Sequence, residues 1–302
     1  MSALTHRILG LLTETPLHAG SGSKDDIIDL PIQREAHTDW PCVYGSSMKG
    51  AMRCHAEQQA LDKALIDTTF GPDTEHASEH AGALLVSDAR LLLLPVRSLT
   101  GHFKQVTCPA LLRRFLADMA RSGIQRSAAS IPDIAEDQAL CAANPNNNVL
   151  YLEEFRFTLA QWPDGAVWAD LITELLALVP GLTSDDQTRA IEQNLVLVSD
   201  DSFRHLCRSA LPVQPHIRIN SETKTVANGA LWYEENLAPD TLLYSVIGCQ
   251  PSRNPSMQMT ANDLITQLMN ELFSKPYLQI GGNETTGMGW CRVAVMEETS
   301  HG

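Results

Sequence analysis

The chain has 302 residues, 44% of them apolar, enough for one large domain or two ordinary ones around a real core, and no stretch approaches the roughly 18 to 20 uninterrupted apolar residues of a membrane span. A formal charge of −14 excludes a protein that coats nucleic acid indiscriminately, because that affinity comes from cations neutralising phosphates, but a narrow basic groove among the 22 Lys and Arg remains open. The seven cysteines are scattered and never spaced C-x-x-C, which excludes a disulfide framework or a cysteine-rich zinc site; with no signal-peptide pattern in "MSALTHRILG", the chain reads as cytoplasmic, its thiols reduced and mostly buried.

In chain order, "HRILGLLTETPLHAG" predicts a first strand of about six residues, stopped by Pro16 and dissolving into Gly20 and Gly22. In the loop that follows, Asp29 places a carboxylate between Ile-Ile and Leu-Pro. "GSSMKGAMRCHAEQQAL" predicts a helix capped by Ser46 or Ser47, with Met48, Ala51, Met52 and His55 on one face. "GALLVSDARLLLLPVRSL" predicts two strands around Asp88, and "CPALLRRFLADMARSG" a helix from Pro109 to Gly123 with Leu111, Leu112, Phe115, Leu116 and Met119 on its apolar stripe. Residues 124–148, ending in "NPNNN", read as a long surface loop insertion. "VLYLEEFRFTLA" reads as strand and "AVWADLITELLALV" as helix. "HIRINSETKTVANGALWYEE", within 213–238, predicts a hairpin whose polar middle contains Asn228-Gly229. "TANDLITQLMNELF" is an amphipathic helix with a capping box from Thr260 to Asp263, and "WCRVAVMEE" a closing strand. Between them lies the glycine-rich "IGGNETTGMGW".

Three stretches carry candidate chemistry. Lys49 and Arg53 are four apart, so they share a helix face near its start. The macrodipole opposes cations there by ~0.3–1 kcal/mol, and an arriving phosphate reverses that sign. Backbone N–H groups, two serine hydroxyls and two cations together suit an anion; a solvated basic face fits the same residues. In "IGGNETTGMGW", glycines permit positive φ and close approach of main-chain N–H groups, with Asn283, Thr285 and Thr286 as short donors; a turn that merely needs glycines is the competing reading. The spacing is neither a P-loop nor a dinucleotide fingerprint. "HASEH" at 76–80 formally matches an inverted zinc-protease pattern, but its Gly/Pro flanks and lack of helical periodicity argue against a metal site.

These pieces, taken together, resemble the RAMP superfamily, and within it the backbone subunit of type III-B (Cmr) CRISPR effector complexes. The carrying stretches are "HAGSG" with "IIDLPIQREAHTDWP", "GSSMKGAMR", "VSDARLLLLPVRSLTGHFKQVTCPALLRRF", "YLEEF", "INSETKTVANGALWYEE" and "IGGNETTGMGW", in that order over almost the whole chain. The resemblance implies an α+β fold: one domain over 1–302 with a ferredoxin-like, RRM-related βαββαβ core, insertions, and a protruding β-hairpin thumb at 213–238. It implies further copies of the chain lined up along one guide RNA (crRNA), beside other subunits of the complex, with no membrane partner.

The same resemblance assigns the sites. Ser46, Ser47, Lys49 and Arg53 would hold guide phosphates, as would Gly281, Gly282, Asn283, Thr285, Thr286 and Gly287, while Arg218 and Lys224 sit on the thumb that forces a nucleotide out of the guide–target duplex. Asp29 matches the aspartate of members that cut target RNA. RNA carries its own 2′-hydroxyl nucleophile, so one carboxylate suffices, as a base or by placing a divalent ion, Mg²⁺ before Mn²⁺. The expected products are a 2′,3′-cyclic phosphate and a 5′-hydroxyl. His18 and His37, which flank the loop, and Tyr233, Glu234 and Glu235 at the thumb's end are helper candidates. Read from its neighbours alone, Asp29 also fits an Asx-turn before Leu30-Pro31, which would leave a catalytically silent, architectural guide-binding subunit.

Overall fold

A computed structural model describes residues 4–24, 26–76, 78–99, 101–124, 130–142, 148–179, 181, 185–220 and 222–296. The first strand, β1 (Thr5–Thr13), alternates its side chains between two buried faces: Ile8 enters one apolar cluster, Leu9 and Leu11 the other. After a long loop come β2 (Cys42–Val43), α1 (Gly45–Gln58), α2 (Lys63–Phe70), β3 (Leu84–Val86) and β4 (Ala89–Arg97). The chain continues through β5 (Phe103–Thr107), α3 (Pro109–Arg121), β6 (Gln138–Cys141), β7 (Val149–Leu152), β8 (Phe155–Gln161), α4 (Gly165–Ala177), α5 (Asp185–Asn194), β9 (Leu195–Val198) and α6 (Asp200–Ser209). It closes with β10 (Val213–Ile219), β11 (Val226–Glu235), β12 (Leu242–Cys249), α7 (Ala261–Leu272), β13 (Tyr277–Gln279) and β14 (Trp290–Met296).

The centre of the large sheet runs β14-β1-β12-β4. β1 pairs antiparallel with both β12 and β14, and β12 with β4. Helix α1 lies in the chain between β1 and β4, and α7 between β12 and β14. Met48, Met52 and Ala56 of α1 share one cluster with Leu264, Ile265, Leu268 and Leu272 of α7, so both helices cover the same face. This is a βαββαβ core with the ferredoxin-like strand order, as the resemblance implied. The opposite face carries Ile8, Leu92 and Tyr244 against Leu112, Phe115 and Met119 of α3 and Leu171 and Leu175 of α4. On this face Phe115 meets Tyr244 edge-on at 5.0 Å. The buried Asp118 carboxylate accepts from Tyr244 Oη and Arg90 Nη1 at 2.8 and 2.7 Å, so the charge is paired.

Everything between β4 and β12 is inserted into this core, and it corrects one expectation. Residues 124–148 are not a surface loop throughout: Gln138–Cys141 form β6, parallel to β8 and antiparallel to β9, and Ile124 and Ile131 are buried. The segment is too polar and Asn/Pro-rich for its four-residue strand to stand out, and β8 and β9 supply the pairing. Residues 125–129 and 143–147 lie outside the described residues. The expected hairpin is β10–β11, a two-stranded sheet of its own. Its turn is not at Asn228-Gly229, which lie within β11, but at Asn220–Thr225, where the Asn220 carboxamide oxygen accepts from Glu222 N and Thr223 N and Lys224 takes φ +55°. Helix α7 has the expected cap, Thr260 Oγ1 accepting from Asp263 N at 3.2 Å.

Candidate active site and nucleic-acid interface

The loop after β1 folds back on itself. Ser21 N and Oγ both donate to the Pro31 carbonyl, Gln33 N donates to the Ala19 carbonyl, and Lys24 N donates to the Asp29 carbonyl. Asp29 therefore stands at the closure of a compact lobe. Pro31, two residues on, has no N–H, so the usual Asx-turn bond is unavailable. The carboxylate turns instead to the hairpin base, where Oδ2 accepts from Tyr233 N at 2.8 Å. Leu30 N to Tyr233 O and Glu235 N to Leu30 O, both 3.0 Å, stitch the same loop to β11. Asp29 is half-buried and makes no ion pair among the described residues, so one carboxylate oxygen is left for a ligand.

Glu234 and Glu235, consecutive on a strand, point to opposite sides. Glu235, 3% exposed, accepts from Ile32 N at 3.1 Å and pairs with Arg34 at 2.5 Å, fixing the segment just after Asp29. Glu234, 4% exposed, accepts both bonds from Asn283 Nδ2, at 2.8 and 3.0 Å, and so holds the glycine-rich loop. Both glutamates position neighbouring segments. His18 joins the set: Nδ1 lies 2.8 Å from Glu235 O, and its carbonyl accepts from Gly282 N. Tyr233 contributes its backbone N–H to Asp29, with its side chain exposed. His37 is exposed, with Glu35 as its nearest acid at 4.0 Å.

The glycine-rich loop needs its glycines. Gly281 has φ +84°, and a Cβ there would stand 2.2 Å from the His18 carbonyl oxygen; Gly289 has φ +81° and would meet the Ile280 carbonyl at 2.0 Å. Gly281, Gly282, Asn283, Thr285, Thr286 and Gly287 are all exposed. Helix α1 begins with Tyr44 in the N-cap position, making no side-chain capping bond. Neither Ser46 nor Ser47 caps the helix, contrary to expectation. Asp88, from the β3–β4 turn, takes that role by accepting from Gly45 N at 2.7 Å, a carboxylate complementing the helix dipole from outside. Ser47 Oγ instead accepts from Gln33 Nε2, which also donates to Gly20 O, while Gln33 Oε1 accepts from Tyr44 N.

Gln33 is thus the joint between α1 and the Asp29 loop, and His18 the joint between that loop and the glycine-rich one. The three expected segments meet at one end of the sheet. Gln33 sits inside the quoted "IIDLPIQRE", but nothing in its spacing reveals two partners on other elements. The two helix cations divide. Arg53 donates to Glu57 at 2.9 Å and to the Gly71 carbonyl at 2.8 Å, with Asp67 at 3.8 Å, so it also ties α1 to α2. Lys49 makes no ion pair among the described residues, and burial followed by the Arg53 charge holds its ammonium below the ordinary lysine range. Arg218 and Lys224 are exposed on the hairpin. In the discounted "HASEH" stretch, His76 pairs with Asp73 at 2.7 Å.

Among the described residues no three His, Cys, Asp or Glu side chains converge to hold an ion. A divalent cation at Asp29 would take this single carboxylate from the protein and complete its shell with water and RNA oxygens, a mode that suits Mg²⁺.

Fold and site together define an RRM-related α+β protein with a hairpin whose base holds the Asp29 carboxylate. The chain belongs to the RAMP superfamily, whose family model matches residues 11–292. It is 36% identical over 296 residues to the CRISPR system Cmr endoribonuclease Cmr4 of Pyrococcus furiosus, covering 98% of this chain and 97% of that protein. The Cmr4 subunit of Saccharolobus solfataricus is 26% identical over 91% of each chain. The crystal structure of oligomeric Cmr4 from Pyrococcus furiosus superposes with a TM-score of 0.73, at 30% identity, over 99% of this chain and 100% of that one. A chain of a type III-B Cmr-beta complex bound to cognate target RNA shares the fold, with a TM-score of 0.72 at 22% identity over 96% of each.

Proposed function

We propose that the chain is a guide-RNA-binding backbone subunit of a cytoplasmic type III-B CRISPR interference complex, an endoribonuclease that cuts guide-paired target RNA at regular intervals. Its partners are crRNA, target RNA, further copies of itself and the other subunits of the complex. No helix among the described residues is long and apolar enough to cross a membrane. The observation that carries the reading is the Asp29 carboxylate, held by the hairpin-base N–H of Tyr233 beside the exposed glycine-rich loop.

The chemistry follows from that placement. The guide backbone lies along Lys49, the start of α1 and the loop from Gly281 to Gly287, while the hairpin bends the target strand over Asp29. Asp29 takes the proton of the target 2′-hydroxyl; the oxygen attacks the adjacent phosphorus in line, the bond to the 5′-oxygen breaks, and a solvent proton completes the 5′-hydroxyl beside a 2′,3′-cyclic phosphate. Asp29 would be the protein ligand of a Mg²⁺ or Mn²⁺ ion, which would supply charge neutralisation at the phosphate. Glu235 and Arg34 hold the loop still, and Glu234 with Asn283 keeps the guide-side loop in register with it.

The test is Asp29→Ala in the assembled complex. It removes one hydrogen bond worth about 1 kcal/mol, so the fold and target binding persist, while cutting falls by two or more orders of magnitude, about 10²–10⁴-fold for a lost general base. Cutting at the wild-type rate would leave Asp29 a structural tether and the chain an architectural guide-binding subunit.

A further inference from the structure

A cleft of 650 Å³ opens beside the Asp29 lobe, bounded also by Glu235 at the end of β11 and Arg208 of α6. Its apolar lining is Ile27, Ile28 and Pro31 from the lobe, with Ile27 87% exposed, together with Tyr44, which is 41% exposed and whose hydroxyl donates to the Arg34 carbonyl. The charged groups lining the cleft are mostly neutralised within the protein. Arg34 pairs with Glu235, Arg208 with Asp39, and Glu35 with Arg114 from α3. Lys24 and Asp26 remain, one of each sign. A near-neutral, apolar-walled cleft of this size, within the ~300–1,000 Å³ of small-ligand sites, suits a nucleobase better than a phosphate.

The cleavage geometry calls for such a receptacle. In a stacked A-form strand the 2′-oxygen lies beside the phosphorus and cannot stand opposite the departing 5′-oxygen, so the attacking nucleotide must leave the stack. Its base then loses its stacking partners, and a surface that receives it offsets that loss. We propose that this cleft receives the base of the target nucleotide whose 2′-hydroxyl attacks, with Tyr44 and Ile27 as positioning residues. The proposal rests on the cleavage reading above and adds the place where the displaced base goes.

The experiment uses the assembled complex and a target RNA carrying 2′-deoxy-4-thiouridine at the attacking position. That target has no nucleophile, so the readout does not depend on Asp29. Irradiation is expected to crosslink the base to peptides spanning residues 21–44, and the crosslink disappears when the probe is moved two nucleotides along. Tyr44→Ala and Ile27→Asp, both at exposed side chains, are expected to slow cutting of ordinary target about tenfold, the order of one lost base–side-chain contact, with target binding unchanged. Crosslinks that map to the hairpin or to a neighbouring copy would overturn the proposal. So would variants that cut at the wild-type rate, and so would variants that fail to assemble, since the cleft would then be an interface between copies. A crosslink in place while Asp29→Ala still cuts would instead overturn the catalytic role of Asp29 alone.

Discussion

Lys49 and Arg53 are the same kind of residue one helical turn apart, and their surroundings separate them. Spacing alone puts both on one face near the start of α1. That Arg53 also reaches Asp67 and the Gly71 carbonyl depends on where α2 packs, which no local pattern reports. Lys49→Ala is therefore expected to weaken guide-RNA binding regardless of sequence and to flatten its salt dependence by about one unit of slope, measured by titration over a range of salt. Arg53→Ala is expected to lower the thermal midpoint as well, by an amount corresponding to about 1 kcal/mol, because the Gly71 carbonyl loses its side-chain donor. The adjacent glutamates teach the same lesson. As a pair in "YEE" they read as helpers of one kind, but alternation along β11 sends one to Asn283 and the other to Arg34.

At the scale of elements, the hairpin shows how a strong turn signal loses to its context. Asn-Gly is a good two-residue turn, yet Asn220 builds a turn from its own side chain, and the pairing of β10 with β11 shifts register between Ile217 and Ile219. The outcome places Ile217 opposite Leu231 and Ile219 opposite Val226, all four half-exposed, on a two-stranded sheet that is marginal by itself. A neighbouring copy or duplex would cover that face. Replacing Ile217 and Leu231 together by Asp is expected to reduce self-association, read by light scattering, with little change in the thermal midpoint of the core. Helix α1 offers a pH test. Burial lowers the His55 imidazole below its ordinary 6.5, with the Leu272 carbonyl pulling the other way. The unfolded chain thus binds this proton more readily. Stability from His55 is present above pH 6.5 and lost as pH falls through its lower folded-state pKa. The thermal midpoint should drop more steeply on acidification to about pH 5 in the wild type than in His55→Gln.

Across the whole molecule, the insertion between β4 and β12 adds β5 to β9 to the four core strands, and with β2, β3 and β13 the sheet reaches twelve strands among the described residues, with α3 and α4 on the face opposite α1 and α7. This packing closes around the thiols. Burial pushes Cys42 up to about 12 and Cys249 to about 11, and raises Cys108, Cys207 and Cys291 well above the ordinary thiol range, while Cys54 is exposed. An alkylating reagent at neutral pH should modify Cys54 first and Cys141 more slowly. The other five should react only after unfolding, as peptide mapping by mass spectrometry would show.

The linear order of residues by itself determined the core elements around β1, α1, β4 and α7 and the glycine-rich loop, while Asp29 became a candidate through the family resemblance. Apolar periodicity, caps and glycine clusters act over a few neighbouring residues and survive without tertiary context. Only the folded arrangement decided what each charged group meets. Asp29 finds its donor 204 residues away at Tyr233, Asp88 caps a helix 43 residues upstream, and β6 becomes a strand because β8 and β9 flank it. Hydrogen bonds and ion pairs across such separations depend on where the sheet brings the chain together, and that convergence is a property of packing rather than of any single stretch.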